Sequence, residues 1–286
     1  MKSIFRTIAA LITLLTAVSC NIDFLYISLP NTSWVYELND QRAFVHFGTN
    51  ERATIVQRST ENGAVQYNNG TYTADGHAVD ILSDEGTSNR LVRTFSHLKN
   101  SKNKNFSSFR PQDYESLENC VWTTIKQDNF RLIYCMSDGH AKEATFSNVR
   151  HAEGLPYGWE QTTKYYSQTG SHVAIGQEVG TLFPEVMLMD DVWFMHFPVN
   201  EDKGTSAVKG SFWTYESSGY PGIILFDTNS SFTRVLLSSR VLYQVMRGTY
   251  TQDGNVLTMT LDGKTESCQI IDNTFTYLER TYSLFE

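Results

Sequence analysis

Asp190 and Asp191 are adjacent carboxylates, a pair that could bind Ca²⁺ or divide acid and base roles in catalysis. They lie between two apolar runs, residues 186–189 and 192–195. A short polar pair between two such runs is typical of two strands joined by a tight turn. Adjacent residues on a strand also point to opposite faces, so they could not readily act on one substrate. We therefore expect a hairpin turn here.

The histidines do not form a metal-binding pattern, because no two of the seven lie two or four residues apart. His46 and His196 alternate with Phe44 and Phe194, which is typical of histidines in the wall of a sheet. The sequence contains no Gly-x-Ser-x-Gly, His-Glu-x-x-His, phosphate-binding Gly-rich or Cys-x-x-Cys motif. We expect no metal ion, no cofactor and no enzymatic activity.

Cys120 and Cys135 are candidates for a disulfide. If Gln127 and Asp128 are the two loop residues of a hairpin, residues opposite each other have numbers that sum to 255, as 120 and 135 do. An export compartment would permit the bond. A loop centre displaced by one residue removes this pairing, so both alternatives stay open. Cys268 would then be an unpaired core residue.

Aromatic residues are abundant, with 17 Phe, 15 Tyr and 5 Trp. At strand spacing most of them are expected in the core. Residues 154–159 look instead like an inserted loop, in which no core explains an aromatic side chain. Aromatic platforms bind sugars, so this segment and the residues after it supply the candidate ligand-binding set, which is Tyr157, Trp159, Tyr165 and Tyr166.

The N-terminal segment has the features of an export signal that ends at Cys20. Lys2 and Arg6 precede an apolar run over residues 8–18, which is shorter than the ~20 residues of a membrane-spanning helix. The sequence Leu15-Thr16-Ala17-Val18-Ser19-Cys20 resembles a bacterial lipobox. The resemblance implies cleavage before Cys20 and acylation of its sulfur and amine; the alternative is an ordinary signal peptide. Three acyl chains would hold the protein on a membrane, and Asn21 is consistent with the outer membrane, on its periplasmic or its surface face.

Three copies of one sequence unit follow. The heptads 70–76 and 248–254 share the pattern Gly-Thr-Tyr-Thr-x-Asp-Gly, and a weaker copy occupies residues 164–170. Each copy carries a Tyr four residues before a Gly, at Tyr72, Tyr166 and Tyr250, and each follows a Trp, at Trp34, Trp122 and Trp213. The tryptophans are 88 and 91 residues apart, which predicts three units of about 90 residues.

Each unit has the pattern of short strands. Trp34, Tyr36 and Leu38 alternate onto one face of a strand, and Asp75-Gly76 is a strong hairpin signal. Pro111 with acidic residues behind it favours a helix start, and residues 232–246 fit a helix or, by their register with the first unit, a strand. We predict an all-β protein of three tandem antiparallel meander or small-barrel units.

Polar stretches set the expected boundaries. A signal peptide occupies residues 1–19 and a tether residues 20–30. The three units occupy residues 31–100, 119–198 and 210–286, separated by linkers at 101–118 and 199–209.

The Trp-led first strand, the Gly-x-Tyr hairpin and the lipobox together resemble the small lipocalin-like, calycin-type β-barrel lipoproteins of gut Bacteroidetes, here in three tandem copies. The resemblance implies a meander barrel and no fixed activity. The net charge of −8 argues against nucleic acid as a partner. We expect a membrane-tethered, non-catalytic binding or adaptor module for a glycan or a surface protein. The alternatives are a carrier of a small apolar ligand and a hydrolase that acts on glycans or peptides.

Overall fold

The computed structural model describes residues 26–37, 40–60, 65–84, 86–113, 116–126, 129–147, 158–198, 204–215, 221–237 and 242–285. All regular structure in these residues is β-strand, in three groups of eight strands. The prediction of an all-β protein made of three tandem antiparallel small-barrel units is confirmed. Within these ranges no helix has the length and hydropathy needed to span a bilayer.

The first barrel consists of β1 (Thr32–Glu37), β2 (Gln41–Phe47), β3 (Arg52–Ser59), β4 (Val65–Asp75), β5 (Ala78–Ser83), β6 (Ser88–Arg93), β7 (Leu98–Lys99) and β8 (Asn105–Ser108). The second consists of β9 (Cys120–Lys126), β10 (Asn129–Cys135), β11 (His140–Ser147), β12 (Gly158–Thr169), β13 (His172–Ile175), β14 (Glu178–Phe183), β15 (Val186–Met189) and β16 (Val192–Pro198). The third consists of β17 (Phe212–Tyr215), β18 (Gly222–Leu225), β19 (Ser231–Leu237), β20 (Leu242–Asp253), β21 (Val256–Leu261), β22 (Lys264–Gln269), β23 (Thr274–Tyr277) and β24 (Arg280–Phe285).

Within each barrel, consecutive strands pair in antiparallel register, with β22 and β23 as the exception, and the last strand of each barrel pairs with the first. The first two barrels are closed rings. In the third, no ladder joins β22 to β23 among the described residues, so this barrel is open there. The strand β8 lies inside the segment expected to be the first linker and completes the first barrel.

The repeat seen in the sequence is a repeat in structure. Tyr72, Tyr166 and Tyr250 lie on β4, β12 and β20, the fourth strand of each barrel. The turn that follows each strand has its Gly in the left-handed region, with φ of +53° at Gly76, +59° at Gly170 and +57° at Gly254. Residues with a Cβ are disfavoured in that conformation, so the turn requires Gly at the last position of each heptad.

A second repeated feature closes one end of each barrel. The backbone N–H groups of Thr32, Cys120 and Ser211 donate to the carbonyls of Leu29, Leu117 and Val208, at 3.1, 3.0 and 3.0 Å. These three apolar residues are buried in the cores of their own barrels. We call this end, which also carries the repeated tyrosine, the closed end.

Four apolar clusters stabilise the molecule. One fills each barrel, and a fourth, the central cluster, lies between the barrels and takes residues from all three, for example Phe44, Phe130 and Phe212. Strands that face both a barrel interior and the central cluster are buried on both sides, as the continuous burial of β18 and most of β19 shows.

Direct contacts join the barrels. The strands β4 and β20 pair through Gln66 with Leu242 and Val65 with Tyr243, which makes the first and third barrels one sheet. The rings of Phe109 and Phe183 stack at 5.2 Å between the first and second barrels. The units are therefore packed around one core instead of being strung on free linkers.

Two local predictions have different outcomes. Asp190 and Asp191 form the turn between β15 and β16, with φ of +50° and +58°, as expected. The helix start expected at Pro111 is absent from the described residues of that segment. The backbone N–H of Gln112 donates instead to the carbonyl of Leu182 at 2.8 Å, which holds the segment against the second barrel.

Candidate ligand site in the first barrel

A cavity of about 370 Å³ opens at the end of the first barrel opposite the closed end. Its volume falls in the range of roughly 300–1,000 Å³ that is usual for small-molecule sites. The floor is apolar and consists of Ala43, Val45, Ile55, Ile81, Leu91 and Phe106. Five side-chain amides also line the cavity, on Gln41, Gln57, Asn68, Asn89 and Asn100.

Strand register places these side chains in the lumen. Val45 lies opposite Ile55, and Ile55 lies opposite Asn68, so one residue of each of β2, β3 and β4 shares the inner face at one level. Because side chains alternate along a strand, the residues two positions away, Ala43 and Gln57, share that face one level nearer the mouth.

The mouth carries few charges. Asn100 Nδ2 donates to the Tyr36 hydroxyl at 2.9 Å, and the Tyr36 ring lies 4.9 Å from that of Phe106. Arg90 is at the rim, with Nε 3.4 Å from Asp80 Oδ1 and both side chains largely exposed. The site therefore offers neutral donors and acceptors above an apolar and aromatic floor.

The second barrel has a charged network at the equivalent positions. Trp34 lies opposite Val45 in the first barrel and Trp122 opposite Ile133 in the second, so Arg131 corresponds to Ala43. By the same counting, the equivalents of Ile55, Gly70 and Asn89 are Glu143, Lys164 and Glu178.

This network fills the lumen of the second barrel. Arg131 binds Glu178 through two hydrogen bonds, at 3.0 and 2.7 Å, and Glu143 through Nε at 2.5 Å. Lys164 Nζ lies 2.6 Å from the other Glu143 oxygen. Burial by itself would lower the pKa of Arg131, but the hydrogen bonds to Glu178 and Glu143 outweigh it and raise that pKa. Burial would likewise raise the pKa of Glu178, but Arg131 and Lys164 lower it.

In the third barrel an arginine at another position occupies the lumen. Arg234 lies opposite Ile224 in the position that corresponds to Ile55, and it is buried. Its Nε donates to the Tyr282 hydroxyl at 2.9 Å, and its guanidinium lies 5.9 Å from the centre of the Tyr277 ring. The first barrel has an aliphatic residue at both arginine positions, Ala43 and Ile55, and this is why its lumen is open.

A second cavity, of about 390 Å³, lies between the first and second barrels and is lined in part by Ser33 and His46. The Ser33 hydroxyl is 2.9 Å from His46 Nδ1, and His46 Nε2 is 3.6 Å from Asp191 Oδ1. Burial lowers the pKa of His46, while Asp191 acts in the opposite direction. Ser33 is only 8% exposed, and its carbonyl accepts a hydrogen bond from the Phe109 N–H at 2.8 Å. The contact of His46 with Asp191 joins the two barrels, the other two contacts lie within the first unit, and we assign all three a structural role.

The predicted aromatic set does not form one surface. Trp159 is 7% exposed in the central cluster and packs on Phe146 at 5.1 Å, because β12 already begins at Gly158 and Trp159 is a strand residue. Tyr165 is 75% exposed on the opposite face of the strand from Tyr166, whose hydroxyl is bonded inside the barrel end. Tyr157 lies outside the described residues.

The predicted disulfide is not formed, although its register is confirmed. The pairs of β9 and β10 sum to 255, as in Val121 with Tyr134. Cys120 and Cys135 are nevertheless free buried thiols.

The backbone before Cys120 turns its side chain away from Cys135. Asn119 has a φ of +58° and donates its N–H to the Cys135 carbonyl at 2.7 Å. The Cys120 sulfur is turned towards the carbonyls of Ser116 and Glu118, at 3.9 and 3.8 Å. Burial raises the pKa of Cys120 to about 11 and raises that of Cys135 as well.

Cys20, the predicted site of acylation, lies outside the described residues. No three His, Cys, Asp or Glu side chains are grouped as metal ligands in the described part of the chain.

Sequence reasoning missed the lumen of the first barrel. A usable signal was present, because the second unit carries Arg131, Glu143 and Glu178 at inward-facing positions where the first unit carries Ala43, Ile55 and Asn89. Aligning the units beyond their Trp and Tyr residues exposes this contrast.

No protein-family model matches the chain, and no curated protein matches it. Among solved structures, it is weakly similar to the DNA polymerase III subunit beta of Pseudomonas aeruginosa, with 6% identity, a TM-score of 0.13, and coverage of 90% of this chain and 93% of that one. The DnaN sliding clamp of Bartonella birtlesii gives 9% identity, a TM-score of 0.13, and coverage of 90% and 91%. Similarity at these TM-scores carries no information about fold or function.

Proposed function

We propose that this protein is an exported, lipid-anchored, non-catalytic binding protein whose ligand enters the lumen of the first barrel. The observation that carries the proposal is the 370 Å³ cavity in that barrel, at positions where the other two barrels hold Arg131 and Arg234. The second and third barrels act as the scaffold that packs against it through the central cluster.

The chemistry of the cavity favours a small saccharide as the ligand. Side-chain amides both donate and accept hydrogen bonds, which suits hydroxyl groups. An apolar floor with Tyr36 and Phe106 suits the C–H face of a sugar ring. A purely apolar ligand would form no hydrogen bonds with the five amides of the lining, of which Asn100 already donates to the Tyr36 hydroxyl, whereas a saccharide can bond the others. A glycan is therefore a better match than the apolar ligand of a lipocalin-type carrier.

The tether is proposed from the sequence. Acylation of Cys20 after removal of residues 1–19 would hold the chain on a membrane of the cell envelope, as in the lipocalin-like lipoproteins that it resembles. Metabolic acyl labelling of the wild type and of Cys20→Ala tests this part, and equal labelling of the two proteins would overturn it.

Isothermal calorimetry with a panel of mono- and oligosaccharides, and with a fatty acid as the apolar comparison, tests the ligand site. Ala43→Phe fills the cavity from its floor and should weaken saccharide binding at least tenfold, a loss of about 1.4 kcal/mol or more. Val179→Phe, on the exposed outer face of the second barrel, is the matched control and should bind as the wild type does. Equal binding by wild type and Ala43→Phe would place the site elsewhere, and binding of the fatty acid alone would replace the saccharide by an apolar ligand.

A further inference from the structure

The described chain begins at the closed end of the first barrel, where it lies against the turn between β6 and β7. The Ile27 N–H donates to the Thr94 carbonyl at 3.1 Å. The Tyr26 ring stacks on Phe95 with centroids 6.2 Å apart and planes 11° apart, and the Arg93 guanidinium lies 5.3 Å from the centre of the Tyr26 ring. Tyr26, where the described part of the chain begins, is thus held beside Phe95.

Phe95 is an exposed aromatic residue on this turn. It is 72% exposed. It is absent from the four apolar clusters, so packing inside the protein does not explain an apolar ring at this position. Tyr165 is similarly exposed, but it carries a hydroxyl and lies 4.4 Å from the His140 ring.

Chain length keeps Phe95 close to the anchor. Five residues lie between Cys20 and Tyr26, and the six steps from one Cα to the next span at most about 20–22 Å in a fully extended chain. This step rests on the proposed acylation of Cys20. Given that anchor, the Tyr26–Phe95 pair lies within that distance of the point where the acyl chains enter the bilayer.

The charges at the closed end do not point to an acidic partner. Glu51 and Asp75 are exposed there, and the Arg93 side chain is buried and donates to the Gly76 carbonyl at 2.6 Å. Contact with a bilayer would therefore depend on burial of aromatic rings at the lipid–water interface, where such rings are favoured, and not on anionic lipid.

We propose that Phe95, together with Tyr26, contacts the membrane surface and orients the first barrel with its closed end towards the bilayer. The strand β6 begins with Ser88, Asn89 and Arg90 at the mouth of the cavity and ends with Arg93 at the closed end. Docking through Phe95 therefore turns the mouth away from the membrane, where an external ligand can reach it.

Depth-dependent fluorescence tests the docking. The full chain is purified from bacterial membranes as Phe95→Cys, labelled with a thiol-reactive environment-sensitive dye, and reconstituted in phosphatidylcholine vesicles with or without brominated acyl chains. The native thiols are buried, and Cys20 is blocked when acylated. Tyr165→Cys with the same dye is the matched control, since it is equally exposed on another barrel. We expect a blue shift at position 95 and at least twofold quenching by the brominated lipid, with neither at position 165.

Two results would overturn the inference in distinguishable ways. Mass spectrometry that finds Cys20 acylated, with the dye at position 95 behaving as it does at position 165, rejects the docking while the anchor stands. Mass spectrometry that finds Cys20 unmodified rejects the anchor, and the docking falls with it.

Discussion

The Tyr166 hydroxyl donates to the Met136 carbonyl at 2.9 Å, and this bond ties the fourth strand of the second barrel to the turn between its second and third strands. Tyr72 bonds the Gly48 carbonyl at 3.2 Å, and Tyr250 bonds the Thr228 carbonyl at 2.8 Å, at the same place in their own barrels. The backbone N–H of each tyrosine also donates into that turn. The register of three tyrosines in the sequence therefore reflects one repeated structure, in which a tyrosine of the fourth strand bonds the turn between the second and third strands. We call this pair of hydrogen bonds the clasp.

Tyr166→Phe should lower the free energy of unfolding by about 1–2 kcal/mol, because the partly buried Met136 carbonyl loses its shorter hydrogen bond and keeps only the 3.4 Å bond from the Gly139 N–H. Tyr165→Phe, at the neighbouring exposed ring, is the matched control and should change stability by less than about 0.5 kcal/mol. Urea unfolding of both variants measures the difference. A loss for Tyr165→Phe as large as that for Tyr166→Phe would show that the clasp is not what stabilises this position.

Local chemistry made much of the fold predictable. The turn glycines, the alternating strands and the Trp-led first strand depend on backbone conformation and side-chain period, which are properties of short segments. The register of β9 and β10 followed from a two-residue loop, so the pairing that sums to 255 was predictable as well. The direction of the Cys120 side chain was not, because it depends on the left-handed conformation of Asn119.

The alternation of apolar residues in the sequence did not predict the packing between units. Period-two alternation says that one face of a strand is buried, but not whether an apolar residue faces its own lumen or the central cluster. Trp159 was assigned to a binding loop for this reason, whereas it packs between barrels. The open lumen depends on volumes summed over several strands, and Ala43 becomes informative only beside its equivalent, Arg131.

The repeat predicts how the two thiols of β9 and β10 respond to substitution. Cys120 occupies the position at which Thr32 and Ser211 bond the turn carbonyls of their own barrels, each at 2.5 Å. Cys120→Ser can make the same bond and should change stability by less than about 0.5 kcal/mol. Cys135→Ser places a hydroxyl in the apolar core of the second barrel and should cost about 1–3 kcal/mol.

Urea unfolding midpoints of the two cysteine variants, measured under reducing conditions, provide the comparison. A Cys120→Ser protein as unstable as Cys135→Ser would contradict the equivalence of Cys120 with Thr32 and Ser211.

The contribution of the charged network in the second barrel to stability should depend on the balance between its cations and its carboxylates. Arg131→Met removes one of two cations and leaves Glu143, whose side chain is 5% exposed, with Lys164 shared between two carboxylates. Removing one partner of a buried ion pair costs on the order of 3 kcal/mol. The double variant Arg131→Met with Glu143→Gln leaves Lys164 and Glu178 as a neutral pair and should recover most of that loss.

Chemical denaturation at pH 7 distinguishes the single from the double variant. If the double variant is less stable than Arg131→Met alone, the loss comes from packing and not from an uncompensated charge.

His196 should make stability fall in mildly acidic solution. Burial, together with the nearby charges of Arg247 and Arg58, lowers its pKa to about 4. The unfolded chain has an ordinary histidine pKa of about 6.5. Between pH 6.5 and 4 the unfolded chain therefore binds a proton that the folded chain does not, and the free energy of unfolding falls by up to about 3 kcal/mol as the pH falls through that window.

His196→Phe keeps a ring to stack on Trp122, which lies 4.6 Å away, and should remove this part of the pH dependence. Unfolding free energies at intervals from pH 7 to 4 measure the difference between the profiles, with the exposed His77→Phe as control. Parallel profiles for the wild type and His196→Phe would mean that folding does not lower the pKa of His196.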